Sequence, residues 1–424
     1  MAKPVLQAVR GMNDLFPEDT FSWQLLEEQF REVLACYDVG EIRVPLVEHT
    51  DLFARAIGDV TDIVQKEMYT FPDRNGESLT LRPEGTAGVV RALVEHGSLR
   101  GKTPRVYYMG PMFRHERPQK GRYRQFHQLG VEYLGMGQAA ADAEIIALSA
   151  RLLKSASVSA DLQINSLGTP ASRASYREIL LAYLRPQAES LCADCQSRLE
   201  RNPLRVLDCK VENCQQISTG APRLSDHLDP ESEQHFLQLQ HLLDALQIPY
   251  TVNPALVRGL DYYHRTVFEW VTGALGSQGT VLAGGRYDGL VAQLGGPDTP
   301  AIGFALGMER LLALQALQNG MAPLPVPDLF MGALEEESVA SLLQMAEDLR
   351  SRGVRTVTAG PAGFRALLRQ AERSASRYQV LLGRSQLQGD TVLLKEQLGN
   401  RQWEGPWRDL PSGLAALGVD FPNA

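Results

Sequence analysis

The densest run of chemically capable side chains is GPMFRHERPQKGRYRQFHQLGVE at 110–132, where Arg114, Arg117, Lys120, Arg122 and Arg124 sit between two apolar runs. Guanidinium groups present a planar fork of donors that matches two oxygens of a phosphate or carboxylate, so a hairpin loop of this composition suits an anion. A solvated charged loop has the same composition, and this segment alone leaves both readings open. Two further segments add to it. VRGLDYYH at 257–264 sets Arg258 ahead of Tyr262 and Tyr263, and AGGRYDGL at 283–290 joins a Gly-Gly pair to Arg286 and Tyr287. Taken singly, paired glycines mark a tight turn and adjacent tyrosines pack. The sequence contains no GxxxxGK[ST] loop, no serine nucleophile elbow and no HExxH, the motifs of other chemistries.

Two constellations lie apart from these segments. Cys192, Cys195, Cys209 and Cys214 form C-x2-C-x13-C-x4-C, which approaches structural zinc spacing although the last gap is long. Reduced, partly buried thiols without a metal are the expectation here. Near the C-terminus Arg365, Arg369, Arg373 and Arg377 recur every fourth residue, which on one helix gives a single stripe of like charges that repel. Eight arginines between 350 and 384 face one acid, Glu372. Such a stripe fits either a polyanionic partner or an ordinary solvated helix face.

The elements that must position these residues follow from periodicity. Pro17-Glu18-Asp19 followed by Phe21, Leu25, Leu26, Phe30, Val33 and Leu34 predicts a helix over about 18–36. Strand-like runs at 41–48, 78–82, 105–110 and 125–134 are joined by loops rather than by alternating helices, which favours an antiparallel sheet. A helix over 142–153, a polar cysteine-bearing helical insertion at about 170–250, strands at 266–272 and 279–283, and a helix near 309–317 complete the first part. Pro323, Pro325 and Pro327 then make a stiff connector. Beyond it strands and helices alternate, with helices near 337–352 and 363–377, as in a small α/β domain. The boundary is placed at 325/326.

In this order the segments resemble the histidyl-tRNA synthetase family. EIRVPLVEHTDLF at 41–53 is similar to motif 1 of the class II synthetases, FRHERPQKGRYRQFHQ at 113–128 to motif 2, and AIGFALGMERL at 301–311 to motif 3. LVRGLDYY and AGGRYDGL resemble the two histidine-specific motifs, and TLRPEGTAG at 80–88 is a further family segment. The likeness runs from Val9-Arg10-Gly11 to about 315 and is looser over the last hundred or so residues.

The resemblance implies an α/β (α+β) fold: a class II synthetase antiparallel sheet of about six strands with helices, a helical insertion, and a C-terminal mixed-sheet α/β anticodon-binding domain. It implies a histidine–tRNA ligase that first makes histidyl-adenylate from histidine and ATP, with Mg²⁺, and then charges tRNA(His). Arg114 would hold the α-phosphate and Arg310 the distal phosphates, with Glu116 and Arg122 also at the ATP. Glu84, Thr86 and Gln128 would take the α-amino group of histidine. Glu132 and Tyr263 would read the imidazole, with Tyr262 and Tyr287 lining the same pocket. Arg258 would bridge the histidine carboxylate and the α-phosphate and act with Arg114 in catalysis. The stripe Arg365, Arg369, Arg373 and Arg377 would meet tRNA, and motif 1 implies a homodimer. Because the histidine carboxylate is already an anion, adenylation needs no general base, only positioning and charge stabilisation.

Composition sets the remaining bounds. At 424 residues, 44% hydrophobic and 22% charged, the chain is long enough for two or three cored domains and is unlike disordered or collagenous sequences. A formal net charge of -8 gives no general affinity for nucleic acid, so any tRNA contact must be local. No run of about 18 apolar residues and no secretory leader is evident, giving the expectation of a cytoplasmic protein that does not engage a membrane.

Overall fold

The computed structural model describes residues 5–421 except 59, 60, 120, 208, 210, 258, 259, 261, 277, 278 and 321. The chain divides into two compact units, Met1–Ala322 and Pro323–Ala424.

In the first unit, α1 (Pro17–Cys36) starts with proline in its first turn beside Glu18 and Asp19, and buries Leu26, Phe30 and Leu34 at four-residue spacing. The run expected as one strand at 41–48 is two: β1 (Gly40–Glu41) and β2 (Val47–His49). Pro45 lies between them, where a missing N–H cannot continue a ladder. β2 joins β3 (Tyr69–Pro72) and β4 (Ser78–Leu81) in a small sheet of order β2-β4-β3, with α2 (Thr50–Ile57) and α3 (Thr86–Glu95) nearby in sequence.

The large sheet is built from β1, β5 (Arg105–Phe113), β6 (Gln125–Leu134), β7 (Asp161–Ser166), β8 (Thr251–Val252), β9 (His264–Val271), β10 (Thr280–Arg286) and β11 (Ala301–Gly307). Its order is β1-β5-β6-β11-β10-β9-β7-β8. The six central strands are mutually antiparallel, as expected, while the two edge strands pair in parallel, β1 with β5 and β8 with β7. Period-two alternation sends Leu129, Val131 and Tyr133 of β6 to one face, where α1, α4 (Ala139–Ser155) and later helices pack. Gln128 and Glu132, of opposite parity, face the other side.

Between β7 and β8 come α5 (Pro170–Leu184), α6 (Ala193–Arg201), α7 (Glu212–Thr219) and α8 (Pro230–Ala245). Phe236, Leu239 and Leu243 of α8 belong to the core behind the sheet, whereas Tyr176, Leu180, Cys195 and Cys214 of α5 to α7 belong to the core on the opposite face. After β10, α9 (Leu290–Gln293) and α10 (Met308–Asn319) flank β11.

The second unit has a mixed five-stranded sheet. β12 (Leu329–Ala333) pairs in parallel with β13 (Thr356–Ala359) and β14 (Tyr378–Leu382), and β15 (Val392–Glu396) and β16 (Gln402–Gly405) extend it antiparallel. α11 (Glu336–Ser351), α12 (Phe364–Ser374), the short α13 (Arg384–Gly389) and α14 (Leu410–Ala416) complete it. Leu329, Met331 and Ala333 of β12 enter one core with α11 and α14, and Phe330 enters a smaller one with Leu367 and Ala371 of α12. The expected helix at 363–377 ends at Ser374, because Ala375 is left-handed (φ 50°). Arg377 therefore leaves the helical stripe and leads into β14, its N–H donating to the Pro327 carbonyl at 2.9 Å.

Candidate active site

A cleft on the face of the large sheet opposite α4 gathers side chains from α3, β5, β6, β10, β11, α10 and the segments beside them. Including its open mouth it holds about 1010 Å³ of empty space. Glu84, Thr86, Arg114, Glu116, Arg122, Gln128, Glu132, Tyr262, Tyr263, Tyr287 and Arg310 all line it. Arg258 and Lys120 lie outside the described residues. Arg365, Arg369, Arg373 and Arg377 belong to the second unit.

One end of the cleft is acidic and buried. Glu84 precedes α3, and its carboxylate accepts the backbone N–H groups of Thr86 and Ala87, both at 2.8 Å, satisfying donors that a helix start leaves free. Burial still pushes its pKa up, against the pull of those N–H donors and the Arg114 charge. Glu132, on β6, is 1% exposed. Its two oxygens accept from Thr86 Oγ1 at 2.7 Å and from the Tyr287 hydroxyl. Burial raises its carboxyl to about 8 despite these donors, with Glu84 adding to the rise. The side chain needs space on the neighbouring strand. Gly303 of β11 faces Glu132, and a Cβ there would stand 1.8 Å from its Oε2. Likewise a Cβ on Gly130 would meet the Tyr108 ring at 2.1 Å, so that ring can lie flat across β6 only because Gly130 has no side chain.

The pocket walls are aromatic. Tyr262 lies 4.7 Å from Tyr263 and 5.6 Å from Tyr287 between ring centroids, the latter pair edge-on. Burial pushes the Tyr262 and Tyr287 hydroxyls well above their ordinary range, so both remain neutral donors. Arg173 of α5 donates to the Tyr263 carbonyl at 2.7 Å, tying the insertion to this wall. Among the described residues Gln128 Oε1, buried here, has no hydrogen-bond partner. Stranding such a group costs about 1–3 kcal/mol, a cost that a polar ligand removes.

The other end is cationic. Arg114 anchors through Nε to the Pro83 carbonyl at 2.9 Å, with its guanidinium 5.2 Å from the Phe126 ring centre. Arg310, from α10, reaches across to the Gly121 and Thr280 carbonyls at 2.9 and 3.0 Å. Burial lowers its pKa, and the positive charges of Arg122 and Arg114 lower it further. Three guanidinium groups converging in a half-buried cleft repel one another, an arrangement that an anion stabilises. Arg122 pairs with Glu116. Glu309 accepts from the His127 backbone N–H at 2.9 Å and meets its Nδ1 at 3.0 Å.

Arg286 turns away from its neighbour Tyr287 to the other face of the sheet. It is fully buried, pairs with Asp142 of α4 and reaches Asp288 at 3.0 Å, while Asp142 also accepts from Thr266 and meets His235 at 2.8 Å. Removing one partner would strand a buried charge, so this network holds α4 and α8 to the sheet. Sequence reading did not single out Tyr108, Phe126 or Glu309. Tyr108 and Phe126 carry the pocket's parity on β5 and β6, the one signal that could have marked them.

The cleft can hold an amino acid at its acidic, aromatic end and a phosphorylated nucleotide at its arginine end. Residues 11–311 match the family model described as histidyl-tRNA synthetase. The crystal structure of apo histidyl-tRNA synthetase from S. aureus is 34% identical, with a TM-score of 0.80 over 97% of this chain and 100% of that one. A histidyl-tRNA synthetase from Nostoc sp. PCC 7120 is 18% identical, with a TM-score of 0.70 over 98% and 100%. A Bacillus halodurans structure described as an ATP phosphoribosyltransferase regulatory subunit/histidyl-tRNA synthetase is 22% identical, with a TM-score of 0.65 over 90% and 99%. The last two speak to the fold alone.

Proposed function

The chain belongs to the histidyl-tRNA synthetase family, and from that premise we propose which residues of the cleft carry the reaction. It is a histidine–tRNA ligase with the class II fold, joining histidine to ATP as histidyl-adenylate with release of pyrophosphate, then passing histidine to the 3′ end of tRNA(His).

Histidine lies at the acidic end. Glu84, Thr86 and Gln128 take its α-amino group, and the unpartnered Gln128 Oε1 supports that assignment by needing a donor. Glu132 reads the imidazole with Tyr263, while Tyr262 and Tyr287 close the pocket around the ring. ATP lies at the arginine end, with Arg114 on the α-phosphate, Arg310 on the distal phosphates, and Arg122 and Glu116 beside it. Arg258 bridges the two substrates. The histidine carboxylate then attacks the α-phosphorus in line, and the arginines stabilise charge on the phosphate oxygens. The convergence of Arg114, Arg122 and Arg310 is the observation that carries this reading.

Mg²⁺ fits the arginine end as well. Glu116 and Glu309 set carboxylates among the guanidinium groups, the hard oxygen donors that Mg²⁺ takes together with phosphate oxygens. When bound, the ion neutralises phosphate charge. The chain acts in the cytoplasm as a homodimer, a reading supported by the exposed Leu46, Val47 and Phe71 of the small sheet region. A monomeric mass in sedimentation would remove the dimer.

The first unit is the catalytic domain and the second binds the anticodon. The test is exchange of labelled pyrophosphate into ATP with each amino acid in turn. Exchange should require histidine and fall sharply in Arg114→Ala and Arg310→Ala. Full exchange in both variants would take the arginine end out of the reaction.

A further inference from the structure

We propose that Cys192, Cys195, Cys209 and Cys214 form a structural zinc site in the inserted helical module. The sequence spacing alone favoured free thiols, and the geometry reverses that preference. The four sulfur atoms lie within 4.8 Å of one another. Cys192 Sγ and Cys209 Sγ are 3.9 Å apart. A tetrahedron of thiolates about 2.3 Å from zinc has sulfurs about 3.8 Å apart, whereas a disulfide needs about 2.0 Å. All four cysteines are free. The backbone N–H of Cys192 also points at Cys214 Sγ at 3.3 Å, the kind of outer hydrogen bond that orients a thiolate ligand.

The four ligands come from two short segments. Cys192 caps α6 and Cys195 lies in its first turn, while Cys209 follows the tight turn Pro203–Val206 and Cys214 lies in α7. Cys195 and Cys214 are fully buried. The long last gap is accommodated because Cys214 sits in the first turn of a helix rather than on a second tight knuckle. This part of the chain has little else to hold it. α6 buries only Cys195 and Leu199, and α7 buries only Cys214, with Ile217 half-covered beside it. Helices of 9 and 8 residues fall below the roughly 12–15 residues needed for marginal stability alone. A cation joining four sulfurs supplies the missing link, and each thiol gives its proton to solvent as the metal enters. Zinc suits a closed, all-sulfur tetrahedral site with no open position, which makes the role structural rather than catalytic.

The site is independent of the cleft, so its failure would leave the reaction assignment untouched. Elemental analysis of the full chain, purified without added metal, should find about one zinc per chain. Cys36, exposed and remote in sequence, provides an internal control. A mercurial titrated into the native protein should release zinc as it binds the four cluster thiols, whereas a thiol reagent that blocks exposed Cys36 alone should release none. Cys214→Ser should lose the metal, and if it does not fold, the wild-type thiol titration still decides. Metal-free protein that takes up no equimolar Zn²⁺ under reducing conditions would overturn the site. Iron in place of zinc would overturn the choice of ion.

Discussion

Glu132 carries the sharpest consequence at the scale of single residues. Its carboxyl is raised from the ordinary range to about 8 by burial. Between about pH 4.5 and 8 the folded chain therefore binds more protons than the unfolded chain, and this group's contribution to stability declines as pH rises through that window. In Glu132→Gln that part of the decline should vanish, so melting temperatures of the two proteins should converge or cross toward pH 8. The same variant keeps the shape but loses the charge proposed to read the ring. Its kcat/KM for histidine should fall roughly 10–200-fold, the effect of about 1–3 kcal/mol, while KM for ATP stays nearly constant. A stable variant with undiminished histidine selectivity would remove Glu132 from the site.

At the scale of elements, the arginine stripe is shorter than its spacing promised. Arg365, Arg369 and Arg373 lie exposed on α12, and Arg377 lies beyond the helix end. The other arginines of the basic stretch are neutralised from outside it: Arg350 by Glu347, Arg352 by Asp348, Arg355 by Asp328 and Arg384 by Glu337. Among the described residues no ion pair reaches the stripe. Changing Arg365 and Arg369 to Gln should weaken tRNA binding and reduce its salt slope by roughly 0.7–0.9 for each phosphate that is no longer neutralised. An unchanged slope would make α12 an ordinary wet helix. The stripe also marks what could be read beforehand. α1, β6 and α10 were legible because periodicity and caps agreed over long runs. β7 (DLQINS) and β16 (QWEG) were not, since each is short, mixed in polarity and fixed by its neighbours in the sheet rather than by its own pattern. The end of α12 was missed because an alanine, not a glycine, takes the left-handed position. In the cleft, the motif residues were legible as a set, but not Tyr108 or the glycines that make room for it, whose role appears only when strands pair.

For the whole molecule, each unit has its own core: the first two hydrophobic clusters lie within residues 26–314, and the other two within 329–419. Each core closes over its own sheet, so the division at 322/323 should separate parts that fold alone. A chain ending at 322 should melt cooperatively and retain histidine-dependent pyrophosphate exchange, while charging of tRNA falls at subsaturating tRNA. Loss of exchange in a folded fragment would show that the second unit contributes to the first step.

The burial of Glu132 has a further effect, visible as heat rather than rate. Near neutral pH the empty pocket already stores a proton on this carboxyl, whereas free histidine, with an imidazole pKa of about 6.5, arrives mostly without one. With the ring docked on Glu132 as proposed, the stored proton would pass to it, and an imidazolium would face a carboxylate with nothing exchanged with water. Titration calorimetry near pH 7.2 should therefore give nearly the same heat in phosphate and in Tris, whose ionisation enthalpies differ widely. Near pH 5.5 the ligand brings its own proton, one is surplus, and the heats in acetate and in Mes, which buffer there, should separate by about one proton released per histidine. A full proton taken up or released at pH 7.2 would mean that the pocket does not lend its proton to the substrate.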